Sequence, residues 1–184
     1  MKNLYCIVGR SGTGKTTLAE ELERLYGYTS ISSYTTRPQR YEGEIGHIFV
    51  TPDEFKALGE MSAYTLYNDY EYGATPVQID ENDLYVIDIP GVKSLKERYH
   101  GNKGIVVFGL LADEDVVGER MKKRGDSDEK IAERLNRDAT AFKDVNRISD
   151  YLFDVKGVSP EALAKCVKEY IDYCEKTTIF NGGN

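Results

Sequence analysis

The sequence predicts an α/β fold built on a mostly parallel sheet flanked by helices, and three observations carry that prediction. Short apolar runs alternate with helical segments along most of the 184 residues. The first apolar run ends in a glycine-rich turn that leads directly into a helical pattern. One polar stretch, residues 28–80, breaks the alternation and reads as an insertion into the fold.

The elements follow in order. "NLYCIV" is a short apolar run ending at Gly9 and reads as a buried parallel strand. "KTTLAEELERLYG" places Leu18, Leu22 and Leu25 at helical spacing, with Gly27 as its stop. Residues 28–50 look extended, with loops around Pro38 and Gly43. "TPDEFKALG" is a short helix: Thr51 caps it, Pro52 stands first and Glu54 third. "SAYTLYNDYEYGAT" alternates around Asn68-Asp69 and predicts a hairpin. "DLYVIDIPG" is a second buried strand ending in an acid, "VKSLKERYH" a helix, and "GIVVFGL" a third strand. From Asp113 to about Lys143 the chain is helical and charged, interrupted near "RGDSD". "DYLFDV" is a last strand, "SPEALAKCVKEYIDYCEK" a capped amphipathic helix, and the terminal "NGGN" is expected to fray.

Composition narrows the function. The net charge of −7 argues against non-specific nucleic-acid binding, which needs a basic face. No apolar stretch reaches 18 residues, and "MKNLYCIVGR" has too short an apolar run for a signal peptide. Three cysteines, Cys6, Cys166 and Cys174, stand at no metal-ligand spacing; free thiols and a reducing, cytoplasmic setting are expected. A chain of this length is expected to form one domain.

Two stretches carry chemistry. Residues Gly9 to Thr16, "GRSGTGKT", fit the pattern G-x-x-x-x-G-K-[ST] between a predicted strand and a predicted helix. Its glycines let successive backbone N–H groups point at phosphate oxygens, and the helix adds its positive N-terminal end. Lys15 is expected to reach the β- and γ-phosphates, and the Thr16 hydroxyl to ligate Mg²⁺. The motif marks a nucleotide-binding P-loop without choosing between GTPase, ATPase and kinase; no N-K-x-D guanine-reading motif favours a GTPase. The second stretch, "SSYTTRPQR" at residues 32–40, packs five hydroxyl side chains and two arginines into nine residues. Planar guanidinium forks and short hydroxyl donors suit a phosphate dianion, and a kinase needs such a second anion site opposite its donor.

These stretches, with "YEGE…HIFVTPDEF", "YEYGAT", "VIDIPGVKSLKE" and "ERMKKRGDSDEKIAERL", resemble the guanylate kinase family over nearly the whole chain and in the same order. The resemblance implies a P-loop NTPase core at 1–31, 81–119 and 139–180. It also implies an inserted subdomain for a nucleoside monophosphate at 32–80 and a helical lid at 120–138. It implies transfer of the γ-phosphoryl group of ATP, with Mg²⁺, to a nucleoside monophosphate, with GMP or dGMP the expected acceptor. ATP is then contacted by Gly9, Ser11, Gly12, Thr13, Gly14, Lys15, Thr16 and Thr17. The acceptor phosphate is gripped by Ser33, Arg37, Arg40 and Tyr72, with Ala74 or Thr75 near the base. Asp88 stands near the acceptor nucleoside, where it would equally suit an acid that orients Mg²⁺ through water. Lys15, Arg37 and the lid arginines Arg120, Arg124 and Arg134 stabilise charge on the transferring group.

The chain departs from the family pattern at two points. The family usually carries a glutamate nine residues before the site tyrosine, where it accepts from guanine N1–H and the 2-amino group; here that residue is Ala63. The loop after Arg40 is short, and His47 stands where a phosphate-binding tyrosine is expected. In that feature the chain is also similar to ribose 1,5-bisphosphate phosphokinase. A kinase with another acceptor and a guanylate-kinase-like module that binds without catalysis are therefore the alternatives. No protein partner is legible.

Overall fold

A computed structural model describes residues 1–177, without the side chains of Ala139 and Ala141. The last residues of the expected core, 178–180, and the "NGGN" tail lie outside the described residues. Eight strands form two four-stranded sheets among the described residues. The first contains β1 (Asn3–Gly9), β6 (Leu84–Val86), β7 (Gly104–Leu111) and β8 (Tyr151–Asp154) in the order β6-β1-β7-β8. Every pairing in it is parallel, as expected of apolar runs separated by helices.

The residues of β1 are all buried, and their alternation sorts the core into two layers. Tyr5 and Ile7 pack with Leu18 and Leu22 of α1 (Lys15–Tyr26) and with Val167 and Ile171 of α8 (Pro160–Thr177). Leu4, Cys6 and Val8 face the opposite way, toward Val92 and Leu95 of α4 (Ile89–Arg98). Burying an aliphatic side chain of this size contributes about 1.5–3 kcal/mol, so the sheet at the root of the P-loop is the most firmly held part of the fold. Three buried residues, Val117, Met121 and Ile131, form a small separate cluster joining α5 (Glu114–Lys123) to α6 (Asp128–Ala141).

The second sheet occupies the stretch that interrupts the alternation. It contains β2 (Ser33–Thr35), β3 (His47–Phe49), β4 (Ala63–Tyr67) and β5 (Tyr70–Ala74) in the order β3-β2-β5-β4. The predicted hairpin is β4–β5, with Asn68 and Asp69 both at positive φ, 48° and 61°. The helix α2 (Pro52–Ala57) begins at the expected Thr51 capping box. Two short helices, α3 (Pro76–Glu81) and α7 (Val145–Ile148), go beyond the sequence reading. Gln78 of α3 donates to the Ser32 carbonyl at 2.8 Å, tying the end of the inserted sheet to its beginning.

Candidate active site

The P-loop joins β1 to α1. Gly12 and Gly14 take φ of 80° and 94°, a left-handed conformation that disfavours side chains, and so turn the backbone amides inward. The Lys15 ammonium donates to the carbonyls of Gly9 at 2.7 Å and Arg10 at 3.0 Å, folding back over the loop. Burial pulls its pKa down to about 8, opposed first by the negative charge of Asp138. Thr13 is buried, with its hydroxyl on the Arg10 carbonyl. Thr16 and Thr17 stand exposed at the first turn of α1.

These residues line a cleft of about 520 Å³ whose other wall carries Arg120, Arg124 and Arg134. The three arginines differ in their partners. Arg120 donates to the carbonyls of Thr13 and Val155, both at 3.2 Å, and so braces the loop from outside. Arg124 pairs with Asp126, and Arg134 lies 3.9 Å from the same carboxylate. Asp126 therefore gathers both arginines beside the P-loop, and the hydrogen bond from Arg124, with the charge of both, holds its carboxyl below the usual range.

The inserted sheet supplies the second half of the site. Register places Ser33, Thr35, His47, Phe49, Thr65 and Tyr72 on one face. Ser33 Oγ and His47 Nδ1 share a 2.9 Å hydrogen bond, and the His47 ring meets Tyr72 edge-on at 5.6 Å. Burial, reinforced by the nearby Arg37 charge, keeps the His47 pKa below its ordinary value. Arg37 lies 5.2 Å over the Phe49 ring. Its two terminal nitrogens donate to Glu44 at 2.8 and 3.2 Å, and both side chains are nearly buried. The remaining donor, Nε, is buried without a partner among the described residues. Arg40 is exposed, 3.6 Å from Glu44, while its backbone N–H donates to the same carboxylate at 2.8 Å.

Asp88 joins the two halves. It follows β6 in the core sheet and caps α4, accepting from the Gly91 N–H at 2.7 Å. The same oxygen accepts from the Thr65 hydroxyl of the inserted sheet at 3.0 Å. The Thr75 hydroxyl caps α3, accepting from the Gln78 N–H. Ala63 and Ala74 face each other as a cross-strand pair, both buried, in the row that continues through Ser33 and His47.

Sequence reasoning passed over four residues here. Glu44, four positions after Arg40, pairs with both clamp arginines. Thr65 holds Asp88. Arg137 lies 5.2 Å over the Tyr67 ring, linking α6 to the inserted sheet. Asp138, 5 % exposed, accepts from the Ser11 N–H at 2.6 Å. The spacing of Arg134 and Asp138, one helical turn apart, puts them on one face and was the available signal for the last.

Among the described residues no cluster of three histidine, cysteine or acidic side chains marks a protein-built metal cage, and no helix is long and apolar enough to cross a membrane. Mg²⁺ that arrives with ATP is held largely by phosphates and water, so one hydroxyl such as that of Thr16 fits the role.

Known proteins resemble this chain in sequence and fold. A family model described as "AAA domain" matches residues 6–143. A guanylate kinase from Geobacter metallireducens is 34 % identical over 163 residues, covering 81 % of this chain and 78 % of its own. The guanylate kinase of Helicobacter pylori is 29 % identical over 165 residues, covering 82 % and 78 %. Among solved structures, a guanylate kinase from Anaplasma phagocytophilum superposes with a TM-score of 0.65 at 20 % identity, over 93 % of this chain and 85 % of its own. Strand order, P-loop and relatives together place this chain in the guanylate kinase family.

Proposed function

We propose that the protein transfers the γ-phosphoryl group of ATP to GMP or dGMP, releasing ADP and the nucleoside diphosphate. The observation that carries this reading is the opposition of two anion sites. The P-loop cleft with its three arginines stands across Asp88 from a sheet face bearing Ser33, Arg37, His47 and Tyr72. In the transfer, an oxygen of the acceptor phosphate forms the new bond to the γ-phosphorus. The bond from that phosphorus to the β,γ-bridging oxygen breaks in line with it, and the electron pair stays on ADP. No covalent protein intermediate is needed, so the side chains act by placement and charge.

Each half has a defined part. The P-loop amides and Lys15 hold the donor's phosphates. Arg37, through its buried Nε, and the Ser33 and Tyr72 hydroxyls hold the acceptor's phosphate, with exposed Arg40 adding charge. Arg124 and Arg134, paired with Asp126, are placed to exchange that carboxylate for the transferring group. Arg120 keeps the loop in shape through the Thr13 carbonyl. His47, kept neutral by its burial, orients Ser33. Mg²⁺, held on the protein side by Thr16, would offset charge on the donor's phosphates. Transfer requires the lid at 120–138 and the inserted subdomain at 32–80 to approach each other. A reducing, cytoplasmic setting fits three free cysteines.

The test is an ADP-release assay over GMP, dGMP, AMP, UMP, CMP and ribose 1,5-bisphosphate. GMP or dGMP is expected to give the highest kcat/KM. A panel in which no acceptor raises ATP consumption above background would leave a binding module as the reading. A panel led by the phosphosugar would replace the acceptor. With Ala63 and Ala74 at the base end, discrimination among bases is expected to be modest, because no carboxylate is left there to reject a wrong edge.

A further inference from the structure

Asp138 lies outside the roles assigned above, and its position is unusual for a carboxylate. It projects from α6 into the P-loop and is 5 % exposed. One oxygen accepts from the Ser11 backbone N–H at 2.6 Å, and the other lies 3.6 Å from Arg137 Nε. A P-loop amide is a donor shaped for a phosphate oxygen; here it is held by an acid of the protein itself.

The position of Lys15 shows which phosphate this concerns. Its ammonium bonds the Gly9 and Arg10 carbonyls, at the end of the loop next to Ser11. A P-loop lysine reaches the β- and γ-phosphates, so the Ser11 end of the cradle is the end of the terminal phosphate. Asp138 is also the strongest negative charge acting on Lys15. The carboxylate thus occupies one of the groups that receive the γ-phosphate and acts by its charge on the other, and two anions cannot share one N–H at hydrogen-bond distance.

We propose that Asp138 is an internal competitor for the γ-phosphate of ATP and sets how strongly the cradle distinguishes the triphosphate from the diphosphate. ATP binding displaces the carboxylate from the Ser11 amide, and α6, carrying Arg134 and Arg137, moves with it. ADP lacks the competing group and leaves the contact in place. This rests on the reading of the cleft as an ATP site, but on no acceptor and no turnover.

Titration calorimetry at pH 6.5, with Lys15 protonated, compares the wild type with Asp138→Asn. The ligands are Mg²⁺ complexes of ADP and of an ATP analogue with a β,γ-imido bridge. Removing the competing charge is expected to tighten the analogue about tenfold and to change ADP by less than about twofold. A tether that only supports the loop would give the opposite sign, weaker binding of both. Unchanged or weakened analogue binding, or an equal gain for ADP, overturns the proposal. Should the variant fail to fold, the wild-type protein labelled with ¹⁵N decides: the Ser11 amide resonance must move with the analogue and stay with ADP. Failure of the acceptor panel would leave both measurements interpretable.

Discussion

The proposed donor and acceptor halves of this site are built to grip phosphate by different means. In the donor half the ligands are mainly backbone amides, held by a strand whose residues are all buried and by glycines at positive φ. In the acceptor half the candidate ligands are side chains on short strands of three to five residues and on the loop after β2, where Arg37 is itself held by Glu44. Truncating a side chain in the first half removes a function from an intact frame. In the second half it also leaves a partner behind, so catalysis and stability are coupled there and nearly separate in the P-loop.

The largest expected effect tests the donor half. Lys15→Ala removes the ammonium from a loop fixed by the core sheet. It should lower kcat by about 10³-fold or more while changing the melting temperature little. A comparable loss of stability and activity would erase the contrast between the halves.

Arg37→Ala should behave differently. It removes a phosphate ligand, raising the acceptor KM by about a hundredfold, and it strands the Glu44 carboxylate, which is nearly buried. Breaking such a pair from one side costs about 3 kcal/mol. The double variant Arg37→Ala with Glu44→Gln should recover most of the stability and none of the acceptor affinity. Urea unfolding beside steady-state kinetics reads both; recovery of neither would show that Glu44 does not couple the clamp to the fold.

The same contrast explains what the sequence could reveal. The P-loop was legible because its function belongs to a contiguous pattern of residues, and the alternation of apolar runs marked the sheet around it. The clamp arginines were legible as a type of chemistry, but their partners were not. Glu44 pairs through a loop, and Asp138 reaches Ser11 from 127 residues away; helical spacing puts Asp138 on the face of Arg134, but nothing local names Ser11 as its partner. α7 escaped because four residues are too few to show helical periodicity; α3 is as short as α2, but its Thr75-Pro76-x-Gln78 capping box was a signal the sequence did offer. Thr75 was expected near the acceptor's base; the structure turns its hydroxyl to the Gln78 N–H because Pro76 starts a helix that needs a cap.

Asp88, which belongs to both halves, should show an intermediate effect. Asp88→Ala loses the α4 cap and the Thr65 bond together, an expected cost of about 1 kcal/mol. Because Thr65 belongs to the acceptor sheet, the acceptor KM should rise more than the ATP KM. Equal changes in the two would mean that Asp88 only caps a helix.

The smallest effect concerns pH, and it belongs to the acceptor half alone. The folded protein holds His47 below its ordinary pKa, first through burial and then through the Arg37 charge. Folding therefore releases protons from this residue as pH falls. Its contribution is whole above the unfolded value, about 6.5, and declines as pH drops below it. Glu44 is also depressed, by its hydrogen bonds from Arg37, but its contribution is whole above the unfolded glutamate value, about 4.3, and is lost only in stronger acid. Between pH 7.5 and 5.5 the two are therefore separable. The wild-type urea midpoint should fall modestly over that interval, and in His47→Asn the fall should shrink. An identical fall in both proteins would assign it to groups outside the acceptor sheet.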